Sequence, residues 1–203
     1  MGGTTQGAGG GLPDIYGHSR YLVRRKVLKL FGADFHIFDP AGQLVMFSHM
    51  KAFKLKEDIR LYAGEEMQTE LLRIQARQII DFAAAYDVND TPSGQKVGAL
   101  KRRGFKSIIR DEWILMDASD REIGVIREDN IVLALVRRTV SGLVPQSYYA
   151  EMGGTRVCTF RQNFNPFVRK ITIEFPPDAG ALLDRRLGIA AALLLCAIEG
   201  RQK

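Results

Sequence analysis

At 203 residues, 46% of them hydrophobic, the chain is long enough to bury a sizeable core and short enough for one domain, so no second full domain is expected. A formal net charge of +6 favours acidic partners such as phosphate-bearing lipids or nucleic acids, without choosing between them. The two cysteines, Cys158 and Cys196, stand in unlike contexts; both read as reduced thiols, which argues against a disulfide framework and for an intracellular, cytoplasmic protein.

The opening Met1-Gly2-Gly3-Thr4 has no apolar stretch for a secretory signal, and the Gly-rich run to Gly11 reads as a flexible linker, so residues 1–19 are taken as a flexible head. Gln6 stands where a myristoylation signal needs Ser or Thr. From Arg20 to Lys29, β-branched and aromatic residues join a dense run of positive charge at Arg24, Arg25 and Lys26, which predicts a strand with a basic exposed side. Asp39-Pro40-Ala41-Gly42 then separates two apolar runs; Pro sets φ, Gly accepts φ > 0, and a hairpin is expected. The same arrangement recurs around Asp90–Gly94 and Asp117–Asp120 at irregular spacing, which predicts a set of hairpins rather than a solenoid.

Phe53, Leu55, Ile59 and Leu61 alternate with Lys54, Lys56, Asp58 and Arg60, the period of a half-buried strand. Ile74 and Ala76 alternate in the same way with Arg73, Gln75 and Arg77. Ile79–Tyr86 is ambiguous, because Ala83-Ala84-Ala85 has helical propensity. Ile131–Val136 reads as a short apolar strand, and Ile171–Phe175 alternates until Pro176-Pro177 stops it.

From Leu187 to Ile198 the chain is apolar on every side of a helix, so that helix must be buried all round. About 12 residues at ~1.5 Å each reach ~18 Å, against ~30 Å of hydrocarbon, and extension would drag Arg185-Arg186 into lipid; a core helix is therefore expected, with no transmembrane span. Arg near the start and Glu199 near the end oppose the helix dipole, so packing is expected to hold it.

A β-rich chain of basic hairpins ending in a buried apolar helix resembles the tubby C-terminal-like superfamily, including the phospholipid scramblases and the LURP-one-related proteins. The resemblance rests on Tyr86-Asp87-Val88, Gly98 before Ala99-Leu100-Lys101-Arg102, Asp111-Glu112-Trp113, Ile123-Gly124-Val125-Ile126 and Leu183-Asp184-Arg185-Arg186-Leu187, and runs from about Tyr21 to Glu199. It implies a mainly β, α+β domain over residues 20–203: a closed antiparallel barrel of about twelve strands around the helix at about 182–199. It also resolves Ile79–Tyr86 as strand. Scramblases carry a proposed calcium site before the helix; here Phe175-Pro176-Pro177-Asp178 matches its second half, but Lys170-Ile171-Thr172-Ile173 stands where acidic residues would be, so calcium is not carried over. Tubby proteins bind phosphoinositide head groups through clustered Lys and Arg; the nearest equivalent in character is Lys101-Arg102-Arg103 with Lys106 and Arg110.

His18, His36 and His49 have no partners at metal spacing, so no metal site is expected. No nucleophile elbow, phosphate loop or dinucleotide fingerprint is present, and neither catalytic residues nor a cofactor are implied. Asp111 and Glu112 beside Trp113 would face opposite sides of a strand, and ion pairs with Arg110 or Lys106 are expected instead of a carboxylate dyad. Asn163-Phe164-Asn165-Pro166-Phe167 reads as a turn anchoring Phe in the core, with base stacking or membrane contact as the alternative.

The function these features suggest is a non-enzymatic module for anionic phospholipid at a membrane surface, peripheral to the inner face of the membrane. Lys101, Arg103, Lys106, Arg110, Arg24 and Lys26 are its candidate contacts, with Lys101 and Arg103 on one side of a strand and Arg102 on the other. The alternative is a protein-interaction or regulatory scaffold without a lipid ligand. Sequence-specific nucleic-acid binding has no module to carry it.

Overall fold

The computed structural model describes residues 15–28, 32–51, 58–77, 85–103, 112–129, 146–163, 168–178 and 182–198. Twelve strands follow in order: β1 (Arg20–Leu28), β2 (Gly32–Phe38), β3 (Leu44–Lys51), β4 (Asp58–Tyr62), β5 (Glu70–Ala76), β6 (Ala85–Asp90), β7 (Lys96–Arg102), β8 (Glu112–Met116), β9 (Glu122–Glu128), β10 (Ser147–Met152), β11 (Thr155–Gln162) and β12 (Arg169–Glu174). The helix α1 (Arg185–Ile198) ends the described chain. Each strand pairs antiparallel with its sequence neighbours, and β1 pairs with β12, Arg20 opposite Glu174 and Arg25 opposite Arg169, to close a barrel.

Alternation sets the two surfaces. Tyr21, Val23, Phe35, Ile37, Leu61, Ile74, Leu100, Trp113, Leu115, Phe160 and Ile173 are buried towards the lumen, while Arg24, Arg60 and Arg161 between them are exposed. Twelve strands ~4.8 Å apart and tilted ~40° make a ring roughly 24 Å across, too wide for side chains alone to fill and wide enough for a helix of ~10–12 Å diameter. α1 supplies that filling: Leu187 and every residue from Ile189 to Ala197 are buried. Each fully buried Leu or Ile contributes about 1.5–3 kcal/mol. Two glycines let helix and wall approach: a Cβ at Gly98 would meet the Met116 carbonyl and lie 3.2 Å from Leu187, and one at Gly188 would lie 2.7 Å from the Phe175 ring.

The three expected hairpins are present. Asp39 N–H donates to the Gln43 carbonyl at 3.0 Å with Gly42 at φ 81°, Gly94 closes the β6–β7 turn at φ 68°, and Asp120 turns β8 into β9 at φ 64°. Of the expected strands, Ile131–Val136, Phe53–Lys56 and most of Ile79–Tyr86 lie outside the described residues. Ile15–Ser19, assigned to the head from sequence, lie against the barrel: Tyr21 Oη donates to the Ile15 carbonyl at 2.8 Å, and Arg185 Nη1 to the Tyr16 carbonyl at 3.3 Å.

The expectation that packing alone holds α1 is also corrected, because the barrel supplies charges that suit the dipole. Asp184 is the N-cap: its Oδ1 accepts the Arg186 N–H at 2.9 Å, and its carbonyl accepts those of Leu187 and Gly188 at 3.0 and 3.2 Å. Asp184 and Asp90 hold the Arg186 guanidinium at 2.6 and 3.1 Å. At the other end, Arg25 from β1 donates from Nη1 to the Cys196 carbonyl at 3.1 Å.

Leu194→Asp should unfold the protein. An unpaired carboxylate in the lumen costs several kcal/mol, comparable with the ~5–15 kcal/mol total of a domain. Loss of near- and far-ultraviolet circular dichroism would verify it; a native melt would contradict the plugged lumen.

Candidate functional site

The barrel has two unlike ends. All five tight turns among the described residues, 39–43, 63–69, 91–95, 117–121 and 153–154, lie at the end where α1 begins. Strands β1, β7 and β11 run away from that end, and β12 runs back towards it. Consequently the last residues of β1 and the first of β12 meet at the end where α1 finishes, close to Arg25 and Cys196, and the last residues of β7 lie at the same end across the ring. The up-and-down order thus brings separate basic segments of the sequence to one rim.

Among the described residues, Arg24, Lys26, Lys101, Arg169 and Lys170 near this rim form no ion pair. On the outer face Arg24 stands in register with Lys170, its guanidinium 5.0 Å above the Phe38 ring, and Lys26 lies beyond it. Arg161 of β11 extends this face and is exposed, 3.9 Å from Glu174. Nearby carboxylates are already engaged: Asp34 accepts from His49 at 2.7 Å, and Asp58 pairs with Arg60 at 2.8 Å, Glu112 with Arg103 at 2.8 Å, and Asp129 with Arg156 at 3.1 Å. Among the described residues, positive charge at the rim is therefore in excess.

The wall of β4–β7 is the contrast. Arg60 and Arg73 share Glu70, at 3.4 and 2.9 Å. Arg77 and Lys96 share Asp87, at 2.6 and 2.9 Å, and both also bind Asp120. Burial pushes the Asp87 carboxyl upward, but hydrogen bonds from Arg77 and Lys96 outweigh it and hold the group below its ordinary 3.8. Glu70 shows the same balance, with Arg73 and Thr91 as donors. At the turn end, Asp117, Asp120, Asp90 and Asp184 hold Arg121, Lys96 and Arg186.

Lys101 and Arg103 face outward. Lys101 is in register with Ile114, which forms a small buried cluster with Ala99 and Met116 apart from the lumen core. Arg103 donates to Glu112, which also lies 3.7 Å from Arg127, so Arg103 is already held by a carboxylate. Glu112, expected to pair with Arg110 or Lys106, has Arg103 and Arg127 as its described partners. Arg102 is in register with inward-facing Trp113. Lys106, Arg110, Asp111 and residues 164–167 lie outside the described residues. Arg24 and Lys26 stand outward, as alternation predicts. Lys170 was missed as a candidate: its neighbour Arg24 is far away in the chain, and only barrel closure joins them.

Each histidine has a carboxylate partner across or beside β2: His36 with Glu65 at 2.8 Å, His49 with Asp34 at 2.7 Å and His18 with Asp39 at 4.0 Å. Both thiols are free and buried; burial pushes Cys196 up to about 11, against the lowering effect of Arg25 and Arg169, and raises Cys158 well above 9.0. Neither thiol is a nucleophile at neutral pH.

Fold and charge together define a plugged up-and-down barrel with one cationic rim. The X-ray structure of a protein from Arabidopsis thaliana has a similar fold, with a TM-score of 0.50 and 15% identity over 92% of this chain and 95% of that one. No protein-family model matches the chain, and no curated protein matches at a significant level. Among the described residues, no helix is long and apolar enough to cross a membrane.

Two outcomes follow. Arg103→Glu sets a second carboxylate against Glu112, so the melting temperature should fall by about 2–4 °C, readable by calorimetry; an unchanged melt would mean that the pair is not formed. Asp87, Glu70 and Asp90 are all lowered in the folded state, so their contribution is complete above the ordinary carboxylate values and is lost as pH falls through the lowered ones. Melts should therefore be flat from about pH 5 to 7 and fall steeply below about pH 4. Asp87→Asn should make that fall shallower.

Proposed function

We propose that the chain is a non-enzymatic module, of the scramblase and LURP-one-related type, that binds anionic phospholipid surfaces end-on through the rim where α1 finishes. The observation that carries this reading is the set Arg24, Lys26, Lys101, Arg169 and Lys170, without an ion pair among the described residues, at one end of a barrel whose β4–β7 wall is neutralised by ion pairs. Charges near an anionic leaflet contribute ~1 kcal/mol each, so a handful gives useful affinity without a deep pocket. The attraction is screened over ~8 Å at physiological ionic strength, which makes binding reversible and dependent on salt. Strands already fixed by pairing carry these cations, so docking orders their side chains but not their backbone.

The test is co-sedimentation with vesicles containing phosphatidylserine. Lys26→Glu with Lys170→Glu should weaken binding about thirtyfold at low salt with an unchanged melt, because two contributions of ~1 kcal/mol are lost. The Lys101→Glu variant should lose less, since one site is removed. Binding that persists in the folded double variant would rule out this rim. Wild-type protein that ignores anionic vesicles at low salt would transfer the cationic rim to an acidic protein partner.

A further inference from the structure

Among the described residues, β3 and β4 share one pair in register, Phe47 with Tyr62. Every other neighbouring pair of strands holds register over at least four residues. That single pair lies towards the turn end, so Ser48–Lys51 and Asp58–Leu61 run without register pairing towards the end where α1 finishes. On the lumen side of this seam Met50, Ile59 and Leu61 are buried, and Ser48 Oγ, fully buried beside them, has no hydrogen-bond partner among the described residues. α1 packs on β12, β1, β6 and β7, so its main supports lie to either side of the seam. On the outer side one bond crosses the joint. Glu65, in the turn after β4, reaches over β3 to His36 on β2, with Oε1 accepting from Nε2 at 2.8 Å. The His36 ring stacks on Phe38 at 6.2 Å and stands edge-on to Phe47 at 5.2 Å, so the bond sits over the one registered pair.

We infer that the closed ring opens locally at the β3–β4 seam, and that the His36–Glu65 pair is the latch that sets how often it does so. A joint with one registered pair and an unpartnered buried hydroxyl is a low-stability unit in a ring otherwise paired throughout its described length. The latch is built to be released, because His36 is buried while Glu65 is more than half exposed, where water, a cation or a partner's donor can compete for its carboxylate. The plug can stay seated as the seam parts, since its main supports lie elsewhere on the wall. An opened ring is a sheet with two edges, β3 and β4, and its apolar face then meets solvent beside the cationic rim. The latch stands independently of the end-on reading, since neither lipid nor the charge of the rim enters it.

Methionine oxidation reads the opening on the full chain. Dilute hydrogen peroxide followed by peptide mass spectrometry gives a rate for each methionine: buried Met50 reports the seam, Met116 on β8 reports another wall, and exposed Met67 gives the rate without protection. In a separate experiment, a thiol reagent at buried Cys158 reports global unfolding. Relative to the denatured chain, Met50 should be protected at least about tenfold less than Cys158. Glu65→Ala should speed oxidation of Met50 about fivefold, and His36→Phe, which keeps a ring in the stack and loses the bond, should match it. Glu65→Gln, whose side-chain oxygen still accepts from Nε2, should stay near the wild-type rate. Met116 and Cys158 should be unmoved in all three variants.

Equal protection of Met50 and Cys158 in the wild type would overturn the seam, since both would then be reached only by global unfolding. A Met50 rate that neither Glu65→Ala nor His36→Phe changes would overturn the latch. A rise shared by Met50, Met116 and Cys158 would overturn it too, reducing the pair to a contribution to overall stability.

Discussion

The helix in the lumen is the interaction on which the rest of this structure depends. A ring of twelve strands has too wide an interior for its own side chains, and without α1 the inward Tyr, Trp, Phe and Leu residues would border a void. Ala190, Ala191, Ala192 and Ala197 keep one part of the helix slim, while Leu193, Leu194 and Leu195 thicken another, all of them buried. Gly98 and Gly188 mark where even a methyl group would be too much. The plug and the wall are therefore cut to each other, and neither has a stable form alone.

The helix also organises charge. Its N-terminus sits among Asp184 and Asp90, its C-terminus beside Arg25 with Arg169 opposite, so the barrel ends carry the signs that its dipole prefers. The turn end carries aspartates paired with Arg121, Lys96 and Arg186, the other end carries cations without an ion pair among the described residues, and the β4–β7 wall between them is balanced by shared carboxylates. A surface that meets such a body is aligned by it before contact, because charge separated along an axis gives a torque as well as an attraction.

Much of the fold was legible in sequence because the signals were local. Asp-Pro-x-Gly dictates its turn through φ, the alternation from Ile59 to Leu61 dictates which side is wet, and an apolar run from Leu187 to Ile198 too short for a bilayer can only be core. The candidate site was less legible, since it is made by pairing at a distance. Arg24 and Lys26 were identifiable as outward residues, but nothing near them in the chain indicates that Lys170 is their neighbour. Arg103 lay in a stretch without acids, yet strand pairing sets Glu112 against it. The charge at the end of α1 was illegible for the same reason: Glu199 is near it along the chain, whereas Arg25 arrives from β1.

Closure of the ring by β1 and β12 carries a consequence for how the protein is made. During synthesis, β1 must wait with one edge unpaired until Arg169–Glu174 has emerged, and the helix that fills the lumen follows later still. Until then a growing sheet presents open backbone and an apolar face, the two features that invite association with other chains. Folding that hinges on contacts between the two ends of a chain is slow, because loop closure is completed before the core rewards it. The interval before ring closure is therefore the stage at which this chain is most open to association with others.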